Sequence, residues 1–106
     1  MREWKWSPAE KTTARRAFDK ALSRELDAVI REARDRAARI TEASELWELE
    51  RWLTQRRLAI DRKYDYRYSV LPHVFANLLR DGSLNEDDLH GLDQHKLDAI
   101  RRIASF

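Results

Sequence analysis

Apolar side chains recur at Phe18, Leu22, Leu26, Val29, Ala33, Ala37 and Ile40, in steps of four and three whose mean lies close to the helical period. The stretch "SPAE", Ser7 to Glu10, precedes them and reads as a helix start. Ser7 caps, Pro8 takes the first helical position where its missing N–H costs nothing, and Glu10 closes a capping box. No glycine or proline interrupts residues 9–40, so the pattern predicts one helix of roughly 33 residues, about 50 Å long at ~1.5 Å per residue. A compact globule of this length has a radius of gyration of only ~13 Å, so such a helix projects beyond its own globule. Its stripe narrows to Ala33 and Ala37, which predicts close approach by a neighbouring helix there.

A short turn at "ITEASELW", with Thr41 or Ser44 as a cap, leads into a second helix that runs to about Asp65. Its main stripe is Leu46, Leu49, Leu53, Ile60 and Tyr64, with Trp52 on the flank. A second strip, a quarter-turn or more away, holds Trp47, Arg51, Thr54, Leu58, Asp61 and Asp65. Trp47 and Trp52 stand five residues apart, about 140° around a helix, so one face cannot bury both. Two readings of Trp47 are open: it folds back onto the first helix, or it faces a partner.

"SVLPHVFANLLRDG" concentrates Val70, Leu71, Val74, Phe75, Leu78 and Leu79 on one broad face. The helix starts near Ser69, which puts Pro72 in its first turn, and Gly82 stops it. Beyond it, Ser83 and Glu86 suit a further capping box, and Leu89, Leu92, Leu97, Ile100 and Ile103 form a stripe that Gly91 splits into two short helices. The chain is therefore expected to be all-α: a long antiparallel helical hairpin, the stem, plus short C-terminal helices, the head. With 106 residues and no repeat or linker, it fits a single domain.

Charge and composition then remove whole classes of function. Charged residues make up 38% of the chain, but 21 Lys and Arg stand against 19 Asp and Glu, for a net charge of +2. That is a mixed surface, and the basic residues gather toward helix C-termini, where the helix dipole favours them anyway. Interspersed carboxylates, including the "NEDD" cluster, argue against phosphate binding, so no nucleic acid is expected. No apolar run is long enough to span a membrane, and none at the N-terminus resembles a leader, so a cytoplasmic location without membrane contact is expected. There is no cysteine, no phosphate loop and no nucleophile elbow. His73, His90 and His95 lack metal-ligand spacing. Catalysis, metal and cofactor are accordingly not expected.

What remains is an interaction module. The first helix is too long for one globule and the second has two faces to cover, so antiparallel pairing of the stem with its copy supplies a closed twofold dimer.

Particular stretches carry a likeness. "WS" at Trp6, "ALSRELDAV" at Ala21, "IT" at Ile40, "ELWELERWL" at Glu45, "RR" at Arg56, "IDRKYDYRYSV" at Ile60 and "VFANLLRDG" at Val74 closely resemble the cyanobacterial fluorescence recovery protein family. The combination of "ID.KYD.R.SV" with a following "VFA.LL" is not a generic helical pattern. The resemblance implies an all-helical homodimer that binds the photoactivated orange carotenoid protein, mainly through its C-terminal domain. It speeds that protein's return from the red to the orange form, ending photoprotective quenching of the phycobilisome antenna. It further implies that Leu46, with its stripe neighbours Leu49 and Leu53, lies in the dimer interface, and that Trp47 and Arg57 belong to a partner-binding patch. Within that patch the family carries His-Asp where this chain has Glu50 and Arg51, which exchanges attraction for repulsion against the same cationic target. In the head, a phenylalanine and a lysine of the family are His73 and Ala99 here. The candidate patch is thus Trp47, Glu50, Arg51, Arg57 and His73. The expected partner is the orange carotenoid protein or a relative of its C-terminal domain; the alternative is a dimeric helical adaptor on the same scaffold that binds a different protein.

Overall fold

The computed structural model describes residues 4–106; residues 1–3, part of the N-terminal stretch read above for a leader, lie outside them. Four α-helices follow one another: α1 Pro8–Ala38, α2 Ala43–Lys63, α3 Leu71–Arg80 and α4 Gln94–Ala104, with a 3₁₀ turn at Glu86–Leu89 between the last two. No strand occurs among the described residues. The chain extends 53 × 23 × 23 Å with a radius of gyration of 16.9 Å, well above the ~13 Å of a compact chain this size.

The start of α1 is as the sequence predicts. Ser7 Oγ accepts from the Glu10 N–H at 3.1 Å, the Glu10 carboxylate accepts from the Ser7 N–H at 3.0 Å, and Pro8 sits in the first turn. α2 starts from Glu42 without a side-chain cap, and the Thr41 hydroxyl donates to Glu45 instead. α3 begins two residues after the predicted Ser69, again uncapped, with Pro72 in its first turn. The second capping box is formed by Asn85 and Asp88 rather than Ser83 and Glu86, and what it starts is a single 3₁₀ turn rather than an α-helix.

The core sits at one end. Ala14, Ala17, Phe18 and Ala21 of α1 pack with Leu71, Val74, Phe75, Ala76 and Leu78 of α3, with Leu84, Leu89 and Leu92, and with Ile100 of α4. The alanines of α1 in the head core are Ala14, Ala17 and Ala21; farther along, where α2 runs beside α1, Ala33 is half-buried and Ala37 exposed. Trp4 and Trp6 lean on this head. Trp6 lies 5.5 Å from Tyr68 and beneath the Lys96 ammonium, and Trp4 stands edge-on to His95. Lys96 is itself buried, donating to both Glu10 oxygens at 2.7 and 2.8 Å and to the Lys5 carbonyl at 2.6 Å. This clamp holds the N-terminal segment against α4.

Candidate functional site

The other end of the molecule is nearly coreless. Of the 21 residues of α2 only Ile60 is buried, while Leu26 and Ile30 of α1 and Leu46, Trp47, Leu53 and Leu58 of α2 are all exposed. Between the two stem helices runs an open groove of about 620 Å³. Phe18, Leu22, Leu26 and Val29 form one wall, Leu53, Ile60 and Tyr64 the other, and Glu50, Arg56, Arg57 and Asp61 edge it.

At ~100° per residue, α2 presents three strips. Leu49, Trp52, Arg56, Ile60 and Lys63 turn toward α1. Trp52 is half-buried there, with the Arg36 guanidinium 4.5 Å above its ring, and Leu49 lines a small hollow with Ile40 and Arg36 at the hairpin tip. Glu50, Leu53, Arg57 and Asp61 face the groove, with Leu46 in line with them. Trp47, Arg51 and Leu58 stand farther round. Trp47 is 58% exposed, so it does not fold back onto α1.

The predicted site residues are thus sorted rather than gathered. Glu50 and Arg57 share the groove with Leu53; Trp47 and Arg51 lie on the outer strip; Leu49 belongs to the hairpin's own seam. His73 is exposed on α3, in the head, and Ala99 is half-buried on α4.

Sequence reasoning missed the charged junction that closes one end of the groove. Glu25 of α1 accepts from Tyr64 Oη at 2.8 Å and Ser83 Oγ at 2.9 Å, pairs with Lys63, and has Arg56 at 3.8 Å; Lys63 also pairs with Asp81. Burial alone raises the carboxyl's pKa, but hydrogen bonds from Lys63, Tyr64 and Ser83 outweigh it and hold the group below its ordinary value. Burial, reinforced by the Glu25 charge, drives the Tyr64 phenol upward. One residue back, Arg24 donates to Asp88 at 2.7 Å and to the Ser83 carbonyl at 3.0 Å, and Lys20 adds a second pair to Asp88. The Arg24 bond is the main reason the Asp88 carboxyl is lowered to about 2. The partners are 18 to 68 positions apart, so only the folded chain brings them together.

Among the described residues no group of three or more His, Cys, Asp or Glu side chains is placed to hold a metal ion, and no helix is long and apolar enough to cross a membrane. A thin helical stem with an open groove, carried on a well-packed head, defines a small all-helical protein, and the family model that matches residues 6–104 is that of the photoprotection regulator fluorescence recovery protein. The chain belongs to the fluorescence recovery protein family. It is 39% identical over 99 residues to the fluorescence recovery protein of Synechocystis sp. PCC 6803, covering 93% of this chain and 91% of that one. Its fold matches the solved fluorescence recovery protein of Fremyella diplosiphon with a TM-score of 0.91 at 45% identity, covering 96% of this chain and all of the other. The Synechocystis structure matches with the same TM-score at 38% identity and the same coverage.

Proposed function

We propose that the chain, a single helical domain, pairs with its own copy through the stem groove and binds the photoactivated orange carotenoid protein, mainly at its C-terminal domain. Binding speeds the return from the red to the orange form. The regulator acts without breaking a bond: it holds the compact, reunited geometry of its partner better than the separated one and so lowers the barrier between them. The observation that carries this reading is the uncovered groove with Trp47 exposed beyond its rim.

Two magnitudes support self-pairing. A folded monomer of 12.7 kDa is expected to expose about 6,200 Å². This chain exposes 7354 Å², an excess of the order of the ~800 Å² that each partner contributes to a standard interface. Charge along α2 is also polarised, with Glu45, Glu48 and Glu50 followed by Arg51, Arg56, Arg57, Arg62 and Lys63, against which the second half sets only Asp61. An antiparallel copy therefore sets acidic half against basic half, whereas a parallel copy sets like against like. With the groove covered by the copy, Leu46 and Leu53 fall at the dimer seam with Leu49 behind them in the hairpin's own seam, and Trp47 and Arg51 remain for the client. Glu50 and Arg57 on the groove rim and His73 on the head extend that contact.

The test is the dark reversion of a photoconverted carotenoid protein, timed with and without this chain at saturating concentration. Acceleration supports the proposal. An unchanged rate beside a stable dimer mass leaves the alternative, a dimeric adaptor for another protein, which the exposed Arg51 favours because its charge is opposite to that of the family's patch.

A further inference from the structure

Two separate parts of the chain, the end of α2 and the turn after α3, meet at one α1 side chain. Glu25, whose side chain is 12% exposed, holds the last turn of α2 through Lys63, the residue that ends α2 through the Tyr64 hydroxyl, and the turn after α3 through the Ser83 hydroxyl. Lys63 closes the circuit by pairing with Asp81 of the same turn, and Arg24 grips the Ser83 carbonyl from the other side. Two of Glu25's partners, Tyr64 and Arg56, also line the groove. Elsewhere the stem has little to fix it: beyond Ile60, α2 has no buried residue.

We propose that Glu25 is a positioning residue that locks the α3 turn to the end of α2, so that a partner seated along the stem meets a head held at one angle. A carboxylate suits this task because it accepts from two hydroxyls and an ammonium at once, in directions no apolar contact would fix. Tyr64 carries the coupling: its ring faces the groove and packs edge-on against Phe18 at 5.3 Å, while its hydroxyl is committed to Glu25. Displacing the ring therefore disturbs the junction.

The chain has no cysteine, so nitroxide labels can be placed at will. One at Ser44→Cys on the stem tip and one at Asp87→Cys on the head, both exposed positions, report the stem-to-head distance by pulsed electron resonance, with unlabelled chain in excess. The unaltered junction is expected to give one narrow distance. Glu25→Gln keeps an acceptor for the hydroxyls but loses the charge that holds Lys63, and is expected to spread that distance while helix content by circular dichroism stays the same. Ser83→Ala, a milder cut that keeps every charge, is expected to give a smaller spread and serves if Glu25→Gln does not fold. An unchanged distribution in the folded variants overturns the proposal. Its consequence for the partner rests on the proposed function: Glu25→Gln should retain affinity for the isolated C-terminal domain and lose acceleration of the full-length protein. Equal loss of both overturns the positioning role. Failure of the unsubstituted chain to accelerate reversion would reject the functional reading while the distances still decide the junction.

Discussion

Replacing Lys96 with methionine should unfasten the head. The ammonium lies 2.7 and 2.8 Å from the two Glu10 oxygens, with Glu10 4% and Lys96 1% exposed. Methionine fills the space of the stem but leaves the carboxylate with only the backbone N–H groups of Ser7 and Asp93, each at 3.0 Å. Removing one member of a buried pair costs about 3–5 kcal/mol, mostly as the penalty on the surviving charge. The two retained amide donors put the expected loss at the lower end, about 3 kcal/mol, against a total stability of about 5–15 kcal/mol. With a urea dependence of about 1–3 kcal/mol/M, the unfolding midpoint falls by at least about 1 M. Tryptophan fluorescence is a local reporter, since the Trp6 ring centroid is 5.0 Å from the ammonium. Glu10→Gln combined with Lys96→Met should recover much of the loss, because no charge is then left behind.

The same pair predicts the sign of an acid response. Burial pushes the Glu10 carboxyl up, but hydrogen bonds from Lys96 and from the Asp93 and Ser7 N–H groups outweigh it and hold it at about 2, against an ordinary 4.5. A value lowered by folding gives stability that is fully present above 4.5 and is lost as the pH falls toward 2. Lys96→Met releases the carboxyl from the ammonium, so the fall across that window becomes shallower than in the parent chain. A midpoint within about 0.3 M of the parent at pH 7, or an identical acid slope, would refute the reasoning.

Leu46→Glu places a charge beside the groove and should weaken self-association by about 30-fold or more, the effect of a central contact worth at least ~2 kcal/mol; a dimer mass unchanged on dilution in light scattering rejects it. Trp47→Ala should instead leave the dimer mass intact and weaken binding to the carotenoid protein's C-terminal domain by a similar factor in titration. Gly91→Ala should destabilise the head by about 1–3 kcal/mol, because its φ is +121° and the added Cβ would stand 2.6 Å from Thr13 Oγ1. Thermal melting checks this against Gly82→Ala, where φ is +83° but the space is open and about 1 kcal/mol is expected.

The helices were legible because their signals are local. The box from Ser7 to Glu10 spans four residues, and its two hydrogen bonds need nothing beyond the turn they start. The second box shows where locality fails. Ser83 with Glu86 and Asn85 with Asp88 offer the same spacing, and distant residues choose between them: Glu25 takes the Ser83 hydroxyl, while Arg24 and Lys20 fix Asp88. The stripe of α1 was visible, but not which half of it is covered. Ala14, Ala17 and Ala21 continue the period around Phe18 and meet the head, whereas Ala33 and Ala37 continue it equally well and do not. At the candidate site, spacing alone separated Trp47 from Trp52. It could not divide the apolar stripe of α2 into Leu49, turned to the hairpin seam, and Leu53, turned to the groove, because that depends on how far α2 stands from α1. The Glu25 junction joins residues up to 58 positions apart and left no local trace.

The uneven distribution of packing bears on how such a regulator works. In proteins most helical stability comes from tertiary packing of an amphipathic face rather than from intrinsic propensity. α2 has 21 residues and one buried side chain, so the stem draws on whatever lies in its groove. A ligand that binds only the folded form stabilises it by RT ln(1 + [L]/Kd), about 2.7 kcal/mol at a hundredfold excess over Kd. Under the proposed function, cover by a copy and cover by a client therefore act on the same sparsely packed element and are thermodynamically linked. The head, closed by the Lys96 clamp and tied to the stem through Glu25, does not share that dependence. It supplies a fixed end from which a responsive stem projects.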